Sequence, residues 1–383
     1  MTNETMRPSS EDELAAILLD AANAGKPLEV SGNGSKRGIG HEVVGQTLSL
    51  SALKGILRYD PEEMVLSVKA GTLLSEVIRT LDERGQMLGF EPSSLQGMWE
   101  VDDRATIGGT IAAGISGPRR FAIGGGRDHL LGFSAVNGRG ERFKAGGSVV
   151  KNVTGYDLPK LAAGSFGTLF AMTELTLRVY PKAMETRALC FEGLGVDEGL
   201  SVLRKMRRSP LEPSGLSYLP AAAGRLSQTL CRFEGEAEGV AQRLDAALRV
   251  ASHAARTLST EECLSTFDRI ANVAAFFGAG TSVWRVSVPP SEAAAFIASV
   301  GDAGYFADGA GSVVWVETDN PEIHGMASAR GGHALLVRRR MGSTVPKDAF
   351  QPMDEPMSSL VGRLKDAFDP SRVLNPGRMY RGI

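Results

Sequence analysis

The sequence predicts a protein of two α+β domains, and three observations carry that expectation. The first 90 residues alternate strand, glycine-rich loop and amphipathic helix. From about Glu185 short strands come in pairs separated by helices, the order of an antiparallel, ferredoxin-like sheet. Between these regions glycine is concentrated: residues 101–150 hold 12 of the chain's 46 glycines. A length of 383 residues suits two or three domains of about 100–200 residues each. The expected division is 1–182, 183–345 and a C-terminal segment, 346–383, that folds back.

The elements follow in order. Ser10-Glu11-Asp12-Glu13 forms a capping box, Leu14, Ile17, Leu18 and Ala21 share one helical face, and Gly25 ends the helix. Pro27 to Val30 reads as a strand and Ser31 to Gly40 as a loop too rich in glycine for either element. Met64 to Ala70 alternates as a strand does, and Leu74, Val77, Ile78 and Leu81 give a second helix before Gly85. The strand Ala171–Val179 leads to a boundary at Tyr180-Pro181-Lys182. Beyond it, strands are expected at Arg187–Phe191, Leu216–Leu219, Thr229–Phe233, Val283–Val288, Val313–Glu317 and Ala334–Val337, with helices at Glu236–Ser252 and Ser291–Val300. The tail, Phe368 to Tyr380, carries two Pro-containing turns.

Composition narrows the function. Hydrophobic residues make up 43% and charged residues 22%, the balance of a globular protein, and no apolar run is long enough to span a bilayer. A net charge of −2 gives no reason to expect nucleic acid or an anionic membrane as partner. Cys190, Cys231 and Cys263 form no C-x-x-C pair, so they build neither a zinc ribbon nor an iron–sulfur cluster by themselves. Scattered reduced cysteines and an N-terminus without an apolar signal core make the cytoplasm the expected compartment. No metal site is expected: His41, His129, His253, His324 and His333 have no metal-ligand spacing.

Three glycine-rich segments carry the chemistry. In Ser31-Gly32-Asn33-Gly34-Ser35-Lys36 the Gly-x-Gly follows a strand, but the third glycine arrives late, at Gly38, and no helix opens there. That excludes the dinucleotide fingerprint of a Rossmann fold. A nest of backbone N–H groups able to hold a phosphate survives, with Lys36 and Arg37 beside it; a plain turn is the alternative. The second segment, Thr106-Ile107-Gly108-Gly109 through Gly114 to Gly117, is nearly free of side chains. Either a flat ligand lies against this backbone or a helix packs closely on a sheet. The third runs from Lys151 through Gly155, Tyr156, Asp157 and Leu161 to Gly164-Ser165-Phe166-Gly167 and Met172, a short helix, a turn and a strand.

In this order and spacing the segments resemble the FAD-binding domain of the vanillyl-alcohol oxidase and p-cresol methylhydroxylase family. The wording TIGGTIAAGISGPRR, GRDHLLGFSAVNGRGE, KNVTGYDLPKLAAGSFGTL and the tail DPSRVLNPGRMY is similar to the FAD-binding subunits of bacterial glycolate oxidase. The resemblance implies a two-part FAD-binding domain of the p-cresol methylhydroxylase type with an α+β cap. It implies that Ser31, Gly32, Asn33, Gly34, Ser35 and Lys36 wrap the FAD pyrophosphate. Thr106, Ile107, Gly108, Gly109 and Gly114 would line the pyrophosphate and isoalloxazine edge. Tyr156, Asp157, Gly164, Gly167 and Met172 would lie along the flavin and adenosine. Ser35 stands in the stretch where many members carry the flavin-linking histidine, so FAD is expected to be non-covalent.

The same resemblance implies oxidation of glycolate, or a related 2-hydroxy acid, to the keto acid within a complex. That complex would include a second flavoprotein subunit and an iron–sulfur subunit, with any membrane association peripheral and through those partners. Catalytic residues stay unassigned. Relatives that oxidise D-2-hydroxy acids carry a G-H-x-G-D-G-N-x-H metal motif, whereas Gly331-Gly332-His333-Ala334-Leu335 retains one histidine of it. A self-sufficient oxidoreductase, using a cap residue such as Tyr218 or Arg338, and a non-catalytic FAD-binding assembly subunit are the alternatives. The basic runs Arg204–Arg208 and Arg338–Arg340 read as solvated faces.

Overall fold

The computed structural model describes residues 5–99, 104–147, 156–222, 224–278, 280–343, 345 and 348–383. Lys151 to Gly155, the start of the third glycine-rich segment, lie outside them. The chain forms two compact units. One gathers residues up to Ser116, Gly124–Pro181 and Pro352–Ile383; the other holds Gly117–Ile123 and Lys182–Gln351.

In the first unit the helix Glu11–Ala24 begins with the N-cap half of the expected capping box. Ser10 Oγ accepts the Glu13 N–H at 3.1 Å, although the Glu13 carboxylate reaches back to the Ser9 N–H rather than that of Ser10. Gly25 closes the helix in the left-handed region, φ 59°. Strands β1 (Leu28–Ser31) and β2 (Gln46–Ser49) pair in parallel. Five further strands are β3 (Ile56–Asp60), β4 (Val65–Lys69), then, after the short β5 (Gln86–Met87), β6 (Leu130–Asn137), β7 (Arg142–Gly146) and β8 (Phe170–Arg178). Apart from β5 these make an antiparallel sheet of order β3-β4-β8-β6-β7, while β5 pairs with β9 (Tyr180–Pro181). Strand β6 is apolar almost throughout because both its faces are covered. Val136 packs with Leu14, Leu18 and Ala21 of the first helix, whereas Phe133 and Ala135 face Val77, Leu81, Ile107 and Ile111.

The tail is part of this unit. Leu374 bridges to Leu28, and Asn375 accepts the Val30 N–H at 2.8 Å while donating to the carbonyls of Val30 and Phe166. Upstream, Lys365 and Asp369 form a fully buried ion pair at 2.8 Å, one helical turn apart.

In the second unit eight strands make one antiparallel sheet: β10 (Glu185–Glu192), β11 (Gly215–Leu219), β12 (Gln228–Gly235), β13 (Arg256–Leu258), β14 (Val283–Ser287), β15 (Gly304–Asp308), β16 (Val313–Glu317) and β17 (His333–Arg338). Their order, β13-β10-β12-β11-β15-β16-β14-β17, is two β-α-β-β-α-β modules side by side. Each module has the ferredoxin-like arrangement, and the two join where Tyr218 of β11 meets Ala307 of β15. The ferredoxin-like expectation therefore holds twice over, and no repeat in the sequence announces it. Helices Val196–Arg208, Ala237–Ala251, Ala293–Ser299 and Ile323–Ser328 connect the strands.

One ion pair in this unit has a measurable consequence. Arg119 donates from Nε and Nη2 to the Glu234 carboxylate at 2.9 and 2.7 Å. Burial opposes the charged form of Glu234, but the hydrogen bond from Arg119 and the charges of Arg232 and Arg119 outweigh it and hold the carboxyl at about 2 rather than 4.5. A depressed carboxyl stabilises the fold above its unfolded pKa and loses that contribution as pH falls through 4.5 toward 2. The shift corresponds to about 3 kcal/mol. Urea titrations of Glu234→Gln at neutral pH should show a loss of that order, shrinking to nothing near pH 2; equal stabilities at pH 7 would refute the pairing.

Candidate functional site

A cleft open to solvent lies within the first unit. Its wall is the loop after β1, the helix Ile107–Ala113 and the turn leading into β8. The loop leaves β1 at Ser31 and turns at Gly34, whose φ of 77° a side chain would strain. Among the described residues the main-chain N–H groups of Asn33, Gly34 and Ser35 have no protein acceptor, so this part of the cleft lining keeps three backbone donors for water or a ligand. An anion nest of the kind expected from the sequence would use such donors.

Helix Ile107–Ala113 contributes a wall rather than donors. Thr106 caps it, its Oγ1 accepting the Gly109 N–H at 3.2 Å. The Ile107 and Gly108 N–H groups are used by the carbonyls of Thr72 and Ala70, at 2.9 Å each. With its first turn satisfied, this helix does not offer the free N-terminus of a Rossmann site. Its glycines serve close approach. A Cβ on Gly32 would stand 2.2 Å from Thr106 Oγ1, and one on Gly108 would stand 2.7 Å from the Ala70 Cβ and 2.8 Å from the Ala70 carbonyl oxygen.

Charge at the cleft is cationic. Lys36, Arg37 and Arg378 line it with Glu29 as the acid among them. The buried Glu29 carboxylate pairs with Arg37 and lies 3.6 Å from Arg378. Arg378 in turn donates to the carbonyl oxygens of Lys36 and Arg37, at 3.4 and 2.8 Å, and so fixes the path of the loop. Burial pushes the Arg378 guanidinium below the usual arginine range, Glu29 opposes that shift, and Arg37 adds to it. Three cations against one carboxylate leave about two positive charges beside the nest. A pyrophosphate with two negative charges fits that balance, and the walls of Gly, Ala and Phe170 fit a flat ring system.

Of the residues expected from the sequence, Ser31, Gly32, Asn33, Gly34, Ser35, Lys36, Thr106, Gly108, Gly109, Gly167 and Met172 line this cleft. Five do not. Ile107 is fully buried in the core, because the cleft wall uses the opposite side of its helix. Gly114 and Gly164 pack backbone on backbone: a Cβ on Gly114 would lie 3.1 Å from the Gly164 Cα. Tyr156 is 91% exposed and Asp157 is exposed as well. The sequence reading missed Glu29, Ala70, Phe166, Phe170 and Arg378 in the lining. Nothing in the Arg-Met-Tyr of the tail signals the loop 341 residues away that Arg378 supports.

The cap residues weighed for catalysis are otherwise engaged. Tyr218 is buried and donates its hydroxyl to the Leu194 carbonyl at 3.2 Å, and Arg338 donates to the Thr281 carbonyl at 2.9 Å. Among the described residues no group of three His, Cys, Asp or Glu could hold a metal ion.

A glycine loop with free backbone donors outside any Rossmann helix, in a unit that also holds a five-stranded antiparallel sheet, and a second, α+β unit in the same chain define a class: the FAD-binding flavoproteins of the p-cresol methylhydroxylase fold. Residues 4–146 match the family described as FAD binding domain. The crystal structure of p-cresol methylhydroxylase with substrate bound superposes with a TM-score of 0.70, covering 97% of this chain and 87% of that one. At 16% identity this likeness concerns the fold alone. Glycolate oxidase subunit GlcE of Escherichia coli (strain K12) is 33% identical over 97% of this chain and 98% of its own length. Glycolate oxidase subunit GlcD of Bacillus subtilis (strain 168) is 24% identical over 99% of this chain and 89% of its own. The chain belongs to the GlcE family of FAD-binding oxidoreductase subunits.

Proposed function

We propose that this chain is the FAD-binding subunit of a complex that oxidises glycolate, or a related 2-hydroxy acid, to the 2-oxo acid. The observation that carries the reading is the nest of Asn33, Gly34 and Ser35 N–H groups with Lys36, Arg37 and Arg378 around it, a matched receptor for the pyrophosphate of FAD. Ser31 to Lys36 would hold the phosphates, Thr106, Gly108 and Gly109 the backbone side of the cofactor, and Gly167 and Met172 the other wall. FAD, once bound, supplies a two-electron acceptor for the hydride of the substrate's α-carbon. The chain's own part is to grip and orient it and to exclude water from its buried side.

FAD is held without a covalent bond in this reading, since no His, Cys or Tyr is among the residues that line the cleft. With no cysteine cluster motif in the chain, electrons would leave through an iron–sulfur subunit, and a second flavoprotein subunit would complete the complex. No helix among the described residues is long and apolar enough to cross a membrane. A cytoplasmic place, peripheral to the inner membrane at most through partners, accords with that.

The test is spectroscopic. Purified chain should be yellow, release its flavin on acid precipitation, and keep it oxidised under anaerobic glycolate until partner subunits are added. Flavin left on the precipitated chain would overturn the non-covalent reading. Bleaching by glycolate without partners would favour a self-sufficient enzyme, and a folded, colourless protein that takes up no added FAD would refute the cofactor assignment.

A further inference from the structure

A second cluster of cations lies wholly within the other unit, far along the chain from the nest. Arg285 on β14 and Ser287, two residues on, point to the same face of the eight-stranded sheet, and His333 of β17 pairs directly with Ser287. Asp308 of β15 and Ser217 of β11 share that face, hydrogen-bonded to each other at 2.9 Å. The segment Gly117–Ile123 meets this unit at two points: Arg119 is tied to Glu234, Phe121 lies against Gly309, and the charge of Arg120, between them in the chain, acts on Arg285 and His333.

The two guanidiniums differ in kind from their neighbour Arg119. Arg119 has a bidentate carboxylate, whereas among the described residues neither Arg120 nor Arg285 forms an ion pair. Arg285 donates to Ser287 Oγ at 3.2 Å and has Asp308 as its more distant acid. Burial pushes Arg285 down to about 10, and the like charge of Arg120 pushes the same way against Asp308. His333 is lowered too, by desolvation first and then by Arg285 and Arg120. Arg285 and His333 thus carry the repulsion of Arg120 with only Asp308 offsetting it at Arg285, and an anion seated among them would remove that repulsion. His333 nonetheless keeps an exposed edge, so the cluster is reachable from solvent.

We propose that Arg120, Arg285, Ser287 and His333 form a binding site for the carboxylate of a small 2-hydroxy or 2-oxo acid. Paired guanidiniums match the planar carboxylate, and a serine hydroxyl and an imidazole beside them match the adjacent hydroxyl or oxo group. The identity of the acid rests on the function proposed above; the cationic site does not.

Calorimetric titration of the flavin-loaded full chain with glycolate, D-lactate, acetate and inorganic phosphate tests it. Glycolate and D-lactate should bind, acetate more weakly, and R120Q and R285Q should each weaken glycolate about tenfold or more. FAD content should be unchanged in both variants. If R285Q does not fold, R120Q, on the exposed crossing segment, and R285K carry the comparison. Glycolate affinity unaltered by R120Q, no glycolate binding at all, or phosphate bound more tightly than every carboxylate would each overturn the site. Failure of the oxidation reading looks different: glycolate binds and depends on Arg120, yet the flavin is never reduced with any partner present.

Discussion

Lys365→Met is expected to cost about 3–5 kcal/mol of stability, because it leaves a charge buried without its partner. Lys365 and Asp369 are both fully buried. The Lys365 ammonium donates to Asp369 at 2.8 Å and to the carbonyls of Thr168 and Leu374 at 2.6 and 2.7 Å, so every proton it carries is used. Burial pushes its pKa down, Asp369 pushes it up, and the net lowering says that the charged lysine is held at a price in desolvation. The Asp369 carboxylate also accepts the N–H groups of Val373 and Leu374, at 3.1 and 2.8 Å, which sets the turn that returns the tail to β1. With methionine at 365 that carboxylate keeps two backbone donors and loses its counter-ion. Thr168 follows the cleft residue Gly167 in sequence, so the loss should reach the site, and flavin retention should fall along with the urea midpoint. Adding Asp369→Asn to the variant should recover part of the stability by removing the stranded charge. A single variant with the wild-type midpoint would show that the pair is dispensable.

What the sequence made legible and what it hid divide along physical lines. Local signals were readable: the Ser10 cap and Gly25 end of the first helix, the apolar strands that became β14 and β16, and the loop whose glycines leave N–H groups unpaired. Short or glycine-led strands escaped. β13 is three residues with one buried side chain, and β15 opens on Gly304 without alternation, so neither has a period to detect. Gly114 and Gly164 were expected along the ligand; in the structure a Cβ on Gly114 would meet the Gly164 backbone, and Gly164 has a φ of 84° that a side chain would strain. From sequence, a glycine needed for a ligand and one needed for a neighbouring backbone look alike. Long-range partners were invisible for a stronger reason. Arg120 and His333 stand far apart in the chain, and Gly117–Ile123 joins the second unit with no change in composition to mark the crossing.

Arg378→Met should have the largest effect on the cofactor of any single change outside the glycines, about a hundredfold or more in FAD affinity, equivalent to roughly 3 kcal/mol. Direct contact is the smaller part of its role. Its guanidinium faces the Glu29 carboxylate, which is 4% exposed, and donates to the carbonyls of Lys36 and Arg37 at the end of the loop. Those bonds fix the carbonyls of Lys36 and Arg37, and with them the path of the loop that precedes them. Methionine keeps the apolar stem and removes every donor, so the Arg37 carbonyl loses the Arg378 bond, the Lys36 carbonyl keeps only the Ile39 N–H at 3.1 Å, and Glu29 is left to Arg37, which is itself more than half exposed. Net charge beside the nest falls by one at the same time, which weakens a doubly charged pyrophosphate further. Arg378→Lys separates these effects: a lysine restores the charge but not the fork that spans two carbonyls and a carboxylate. It should recover only a minor part of the affinity, measured by flavin fluorescence on dilution. Arg37→Met, at the exposed partner of the same carboxylate, should cost less than a third as much. If Arg378→Met retained FAD as tightly as the wild type, the loop would not depend on the tail, and the C-terminal segment would be only a cover for β1.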